Sequence, residues 1–180
     1  SFDQGATRFG LSTPDGKSGN WVTPFEQDPN DANTIYSGYD QIYKSTNGGQ
    51  SLISGEQSWV PISQNFDGNA NHLKIAPSNT NVMYAAYGEN LYKTTNGGSI
   101  GDWVQLTGFS GNINSIALHP TDPNKLAIAT NSSGKVYISS DGGLNWSVAT
   151  HDLPNFSALA LVWDTTYEED ILYLGMNYGM

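Results

Sequence analysis

Three copies of one eight-residue string constrain this chain more than any other feature: IYKSTNGG from Ile42, LYKTTNGG from Leu91 and VYISSDGG from Val136. Their tyrosines, Tyr43, Tyr92 and Tyr137, stand 49 and 45 residues apart, and a tryptophan follows each string: Trp59, Trp103 and Trp146. Upstream of each copy lies a short alternating apolar run, an Asn/Pro-rich turn and a second β-rich run: VTPFEQDPNDANTIYSGY, LKIAPSNTNVMYAAYG and IALHPTDPNKLAIAT. A unit repeated at this period is one supersecondary element, and it buries its apolar surface by stacking on its neighbours.

Each unit reads strand, turn, strand, turn, strand, Gly-Gly turn, Trp-bearing strand. Apolar residues alternate with period two and no segment sustains a 3.6-residue period, which excludes a helical repeat. Four short antiparallel strands in roughly 40 to 50 residues make a β-propeller blade. The expected fold is therefore all-β, with three complete blades and one partial blade belonging to a larger ring. Blade one is expected at 21–63, blade two at 72–107 and blade three at 113–150. Two strands of a fourth fall within 157–180, without a fourth Gly-Gly turn. The repeat Trp precedes the next turn proline by 18 residues (Trp59 to Pro77) or 17 (Trp103 to Pro120), whereas Trp21 precedes Pro29 by only eight. Trp21 thus opens blade one, and residues 1–20 form a lead-in or the tail of a preceding blade.

Composition narrows the function. A formal charge of −10, with six Lys and the single arginine Arg8, argues against nucleic acid and against anionic membrane surfaces. No apolar run approaches the roughly 20 residues of a membrane helix, so no membrane insertion is expected. Cysteine is absent, which removes disulfides, thiolate metal sites and a Cys nucleophile. The sequons at Asn131, Asn145 and Asn155 carry little weight in a chain so rich in Asn and Ser.

The third string fits S-x-D-x-G-x-x-W at Ser139, Asp141, Gly143 and Trp146, and here the sequence resembles the Asp-box (BNR) repeat family. Looser copies place Ser45, Asn47, Gly49 and Trp59 in the first unit and Thr94, Asn96, Gly98 and Trp103 in the second. The residue types suit a hairpin staple. Asp or Asn accepts hydrogen bonds from turn amides, Gly takes positive φ, and the Ser or Thr hydroxyl ties down a neighbouring amide. The Trp then packs between adjacent sheets. The resemblance implies that these turns are structural and peripheral. With Asn replacing Asp in two boxes, a calcium role is disfavoured, and neither a metal nor a cofactor is expected.

Propellers resembling this one include sialidases, xyloglucanase-type glycoside hydrolases, sortilin-like receptors and lectin or scaffold modules, and fold alone does not choose among them. A sialidase needs an arginine cluster to clamp its substrate carboxylate, and one arginine does not supply it. A xyloglucanase-type hydrolase needs two carboxylates about 5 to 9.5 Å apart. Glu26, Asp28, Asp40, Glu89, Asp122 and Asp164 lie near strand ends, with Tyr39, Tyr87 and Trp163 as stacking surfaces, yet none sits in a matching catalytic motif. His72, His119 and His151 have no metal-ligand spacing. The expectation is a non-catalytic binding or scaffold module of a secreted or cell-surface protein. Its ligand is a carbohydrate or a protein, met by Tyr39, Tyr87, Trp163, Asp40 and Glu89. Its ring is completed by the remaining blades of a longer chain or by a second copy. A fragment of a xyloglucanase-type propeller is the alternative.

Overall fold

A computed structural model describes residues 13–14, 16–50 and 58–177. Arg8 and most of the lead-in lie outside these residues. Every regular element described is a β-strand. The first sheet holds β1 (Phe25–Gln27), β2 (Ile35–Gly38), β3 (Ile42–Ser45) and β4 (Val60–Pro61). The second holds β5 (His72–Ile75), β6 (Met83–Tyr87), β7 (Asn90–Thr94) and β8 (Val104–Leu106). The third holds β9 (Ile113–Leu118), β10 (Leu126–Thr130), β11 (Val136–Ser139) and β12 (Ser147–Val148). A two-stranded sheet follows, of β13 (Ala158–Asp164) and β14 (Ile171–Met176).

Every pairing is antiparallel and joins consecutive strands, so each sheet is a meander. The first strands β1, β5, β9 and β13 neighbour one another in turn. That radial arrangement is a partial propeller, with first strands innermost and the short, exposed fourth strands at the rim.

Both faces of the second and third blades are buried, which explains why β6 and β10 have no exposed residue; β2 of the first blade is likewise buried, between the second blade and a cluster of Ile35, Tyr39, Tyr43 and Trp59. Alternate side chains enter opposite interfaces. Leu73, Ile75, Met83 and Ala85 of the second blade join Tyr36, Ile42 and Phe66 of the first. Tyr84, Ala86 and Leu91 on its other face join Ile116, Leu126 and Ile128 of the third. Ala117, Ala127, Ala129 and Val136 in turn meet Leu161, Leu172 and Leu174 of the fourth. Trp103 packs in the first of these interfaces and donates its indole N–H to the Ile62 carbonyl at 2.8 Å. Trp146 packs in the second, half-buried, edge-on to Phe109 with centroids 5.5 Å apart.

The described part of the lead-in contains no strand and lies along the first blade. Lys17 pairs with Asp40 at 2.7 Å, Asn20 donates to the Ala70 carbonyl at 3.0 Å, and Gly38 N–H donates to the Pro24 carbonyl at 3.0 Å. Trp21 is fully exposed.

Candidate functional site

The inner strands enclose an axial groove of about 360 Å³. Aligned on the turn prolines Pro29, Pro77 and Pro120, each complete blade contributes the residues two and three positions before its proline: Gln27 and Glu26, Ile75 and Lys74, Leu118 and Ala117. The fourth blade contributes Trp163 and Val162. Trp163 takes the place of Leu118, because the pairs Trp163/Leu172 and Leu118/Leu126 both pack toward the preceding blade. The groove is polar on the side of blades one and two, where Lys74 is ion-paired with Glu26, and apolar on the side of blades three and four.

Trp163 is fixed from several directions. Its indole N–H donates to the Ala117 carbonyl at 3.2 Å, His119 packs edge-on at 5.5 Å, and the Lys125 ammonium sits 5.0 Å from its ring. The buried His119 Nδ1 accepts the backbone N–H groups of Asp122 (3.2 Å) and Thr121 (3.3 Å), which leaves the proton on Nε2. That nitrogen lies 3.1 Å from Asp170 Oδ2 without hydrogen-bond alignment. Lys125 also pairs with Asp170, and the Lys125 ammonium first, then the neighbouring His119, hold its carboxyl below the usual carboxylate range.

The three repeated turns act as staples at the opposite, rim side of each blade. Ser139 Oγ donates to Asp141 Oδ1 at 2.8 Å and accepts the Gly143 N–H at 2.9 Å. Ser45 Oγ likewise donates to Asn47 at 2.7 Å and accepts the Gly49 N–H at 3.0 Å, and Thr94 donates to Asn96 at 2.7 Å. Asp141 also accepts Asn145 Nδ2 at 2.7 Å and Asn145 N–H at 2.9 Å. These bonds, the Asn145 side chain foremost, hold its pKa down to about 2. Trp59 is buried with Ile35, Tyr39 and Tyr43.

Each staple is also tied to its own blade's first turn. Gly48, Gly97 and Gly142 donate their N–H groups to the carbonyls of Asn33 (2.7 Å), Asn81 (2.9 Å) and Asn124 (2.8 Å). Those asparagines close Asx turns, each N–H donating to the side chain two residues earlier, on Asp31, Asn79 and Asp122. The shared sequence is D/N-x-N, and its role as the staple's receiver is a signal that sequence reading passed over.

Of the residues singled out for ligand contact, Trp163 alone lines the axial groove. Tyr39 and Tyr87 are buried; Tyr87 stacks on Phe66 at 4.5 Å, and burial first, then the Asp40 charge, pushes its hydroxyl pKa up. Asp40 is paired with Lys17 and accepts Asn65 Nδ2 at 3.2 Å, and Glu89 is exposed at the β6–β7 hairpin. Asp28 is buried and accepts the Tyr36 hydroxyl at 3.1 Å. Asp122 and Asp164 accept turn amides. Among the described residues, no three His, Asp or Glu side chains converge on a metal-sized site. Gln27 and Lys74 were missed, although their fixed offset from the turn prolines marks them.

The sequence matches no family model and no curated protein. Solved structures share the fold. An ancestral GH74 enzyme superposes with a TM-score of 0.65 at 22% identity, over 87% of this chain and 24% of its own. A Niastella koreensis GH74 enzyme superposes at 0.52 and 18% identity, over 69% of this chain and 17% of its own. YCF48 from Cyanidioschyzon merolae gives 0.52 at 19% identity, over 70% of this chain and 36% of its own. The chain therefore spans about a quarter of the first enzyme's length, and the likeness establishes a β-propeller architecture.

Proposed function

We propose that the chain is a binding or scaffold segment of an Asp-box propeller protein, secreted or displayed at the cell surface, with no hydrolytic centre of its own. The axial groove carries this reading. Hydrolysis of a glycosidic bond uses two carboxylates flanking it. Glu26 is the one carboxylate among the groove-lining residues, and Lys74 engages it. A groove with a self-neutralised polar side and an aromatic, apolar side suits recognition of a carbohydrate or a protein segment. The hydroxyl–Asx–Gly staples support the Asp-box assignment. Remaining blades of a longer chain, or a second copy, complete the ring.

A second reading, a fragment of a xyloglucanase-type hydrolase, draws on the likeness to the two GH74 enzymes. A glycan array run beside a β-glucan hydrolysis assay separates the two. Binding without turnover is the expected result. Turnover by this chain, abolished in Glu26→Gln, overturns the proposal.

A further inference from the structure

The first turn of the third blade is closed by an atom that changes character with pH. In each blade one residue stands between the inner strand and its first turn: Asp28, Ala76, His119 and, directly after Trp163, Asp164. Asp28 and Asp164 accept the N–H two residues on, from Asn30 and Thr166, each at 2.9 Å. Ala76 offers no side-chain acceptor. His119 plays the part of the two aspartates with an imidazole nitrogen, its Nδ1 accepting the N–H groups of Thr121 at 3.3 Å and Asp122 at 3.2 Å. A carboxylate keeps its acceptor oxygens down to about pH 4, whereas an imidazole gives up its one acceptor atom within about pH 5 to 8. We infer that His119 is a proton-operated catch on the axial groove, holding this turn closed when neutral and releasing it when protonated. The inference rests on reading the groove as the binding site, and it supplies that site's regulation.

The destination of the incoming proton is fixed. Nε2 already carries one, because Nδ1 is the acceptor, so a second proton goes to Nδ1. An Nδ1–H then points at two N–H donors. The Thr121 hydroxyl, 3.3 Å from Nδ1, can accept from it, but both amides lose their acceptor. His119 is 6% exposed, so its new donor does not reach water unless the turn moves. The charged groups facing the ring leave Nδ1 unaided. Asp170, from the β13–β14 turn, lies 3.1 Å from Nε2 and is shared with Lys125 at the head of β10. Held low by Lys125 first and then by His119, its carboxyl stays ionised throughout the histidine range. Asp122, within the turn, accepts the Asn124 N–H at 2.9 Å, and Asp164 accepts that of Thr166.

The turn is also part of the groove wall. Pro120, inside the turn, and Trp163 both line the groove, and the His119 ring packs edge-on against Trp163 at 5.5 Å. At the other end of the turn, Lys125 places its ammonium 5.0 Å from the same indole, and Asn124 takes the Gly142 N–H of the third staple. Opening the turn therefore reaches the aromatic wall of the groove and the staple together. His72 and His151 belong to neither this turn nor the groove lining.

The test is a pH titration of the whole chain by heteronuclear NMR, from about pH 8 to about pH 5. At the upper end the His119 ring nitrogens are expected to report the Nε2–H tautomer. As pH falls, the Thr121 and Asp122 amides and the Trp163 indole N–H are expected to shift with the midpoint of the His119 ring. Exchange protection of the two amides is expected to drop at least about tenfold. His119→Asn keeps a side-chain acceptor for the turn and does not titrate, so the same signals are expected to stay flat in that variant. The His72 and His151 rings serve as internal comparisons whose midpoints these amides do not follow. An Nδ1–H tautomer at about pH 8, or a His119 ring still neutral at about pH 5, overturns the inference. So does a ring that titrates while both amides stay in place, or the same amide shifts in His119→Asn. If that variant does not fold, coincidence of the His119 and amide midpoints in the unaltered chain decides alone. None of these signals reads ligand binding or hydrolysis, so failure here is distinguishable from failure of the functional proposal.

Discussion

Truncating Trp103 to alanine probes the stacking of one blade on another. The indole is 4% exposed, lies edge-on to Phe66 of the preceding blade, and donates to the Ile62 carbonyl. Loss of a buried Trp side chain with incomplete collapse costs about 3–5 kcal/mol. The deserted Ile62 carbonyl adds about 1 kcal/mol. Trp103→Phe restores much of the volume but not the donor, and is expected to cost about 1–2 kcal/mol. Trp146 is half-buried, and its indole N–H has no partner among the described residues, so Trp146→Ala is expected to cost about 2 kcal/mol. Urea unfolding followed by circular dichroism measures all three, with an unchanged m-value confirming that the transition is the same. A loss below about 1 kcal/mol for Trp103→Ala, or a Trp146→Ala loss equal to it, refutes the packing argument.

The third staple gives a pH dependence with a definite sign. Asp141 has a depressed folded pKa, so its contribution is present above the ordinary value near 4 and is lost as pH falls toward about 2. Asp141→Asn is expected to flatten acid unfolding in that window, read by acid titration followed by circular dichroism, while leaving stability at pH 7 little changed, since the other two staples use Asn. Gly48 and Gly98 both have positive φ, but a Cβ at Gly48 meets open space whereas one at Gly98 lies 2.9 Å from the Ile62 carbonyl oxygen. Gly48→Ala is therefore expected to cost about 1 kcal/mol and Gly98→Ala at least about 2 kcal/mol, by thermal melts. Lys93 of the second blade donates to the Gly142 carbonyl in the third blade's staple at 3.1 Å. Lys93→Met is expected to lower stability by about 1 kcal/mol in denaturant titration, and no change means that this contact contributes nothing.

The architecture was legible because the string, its period and the Trp after it recur, and strand–turn spacing needs no tertiary information. Which face of each strand meets what was not legible. Period-two alternation separates two faces, but in a propeller both faces of an inner blade are buried, so Tyr87 at a strand end reads as a ligand platform when it is core. The first turn of the fourth blade is another case. Seven residues separate Leu118 from its partner Leu126, while eight separate Trp163 from Leu172. The longer turn hides the equivalence of Trp163 and Leu118, both of which pack on the preceding blade. The Glu26–Lys74 pair joins residues 48 apart in sequence, and only the side-by-side placement of β1 and β5 brings them together.

The central claim is that successive repeats stack as radial blades, the second and third each carrying its tryptophan into the blade before it. A nuclear Overhauser spectrum of the folded chain tests this at one resonance, the Trp103 indole proton. Cross-peaks from that proton to Ile62 and Phe66 in the first blade are the predicted result. Their absence in a protein whose β-sheet amides are protected, or their replacement by cross-peaks to the third blade, contradicts the account.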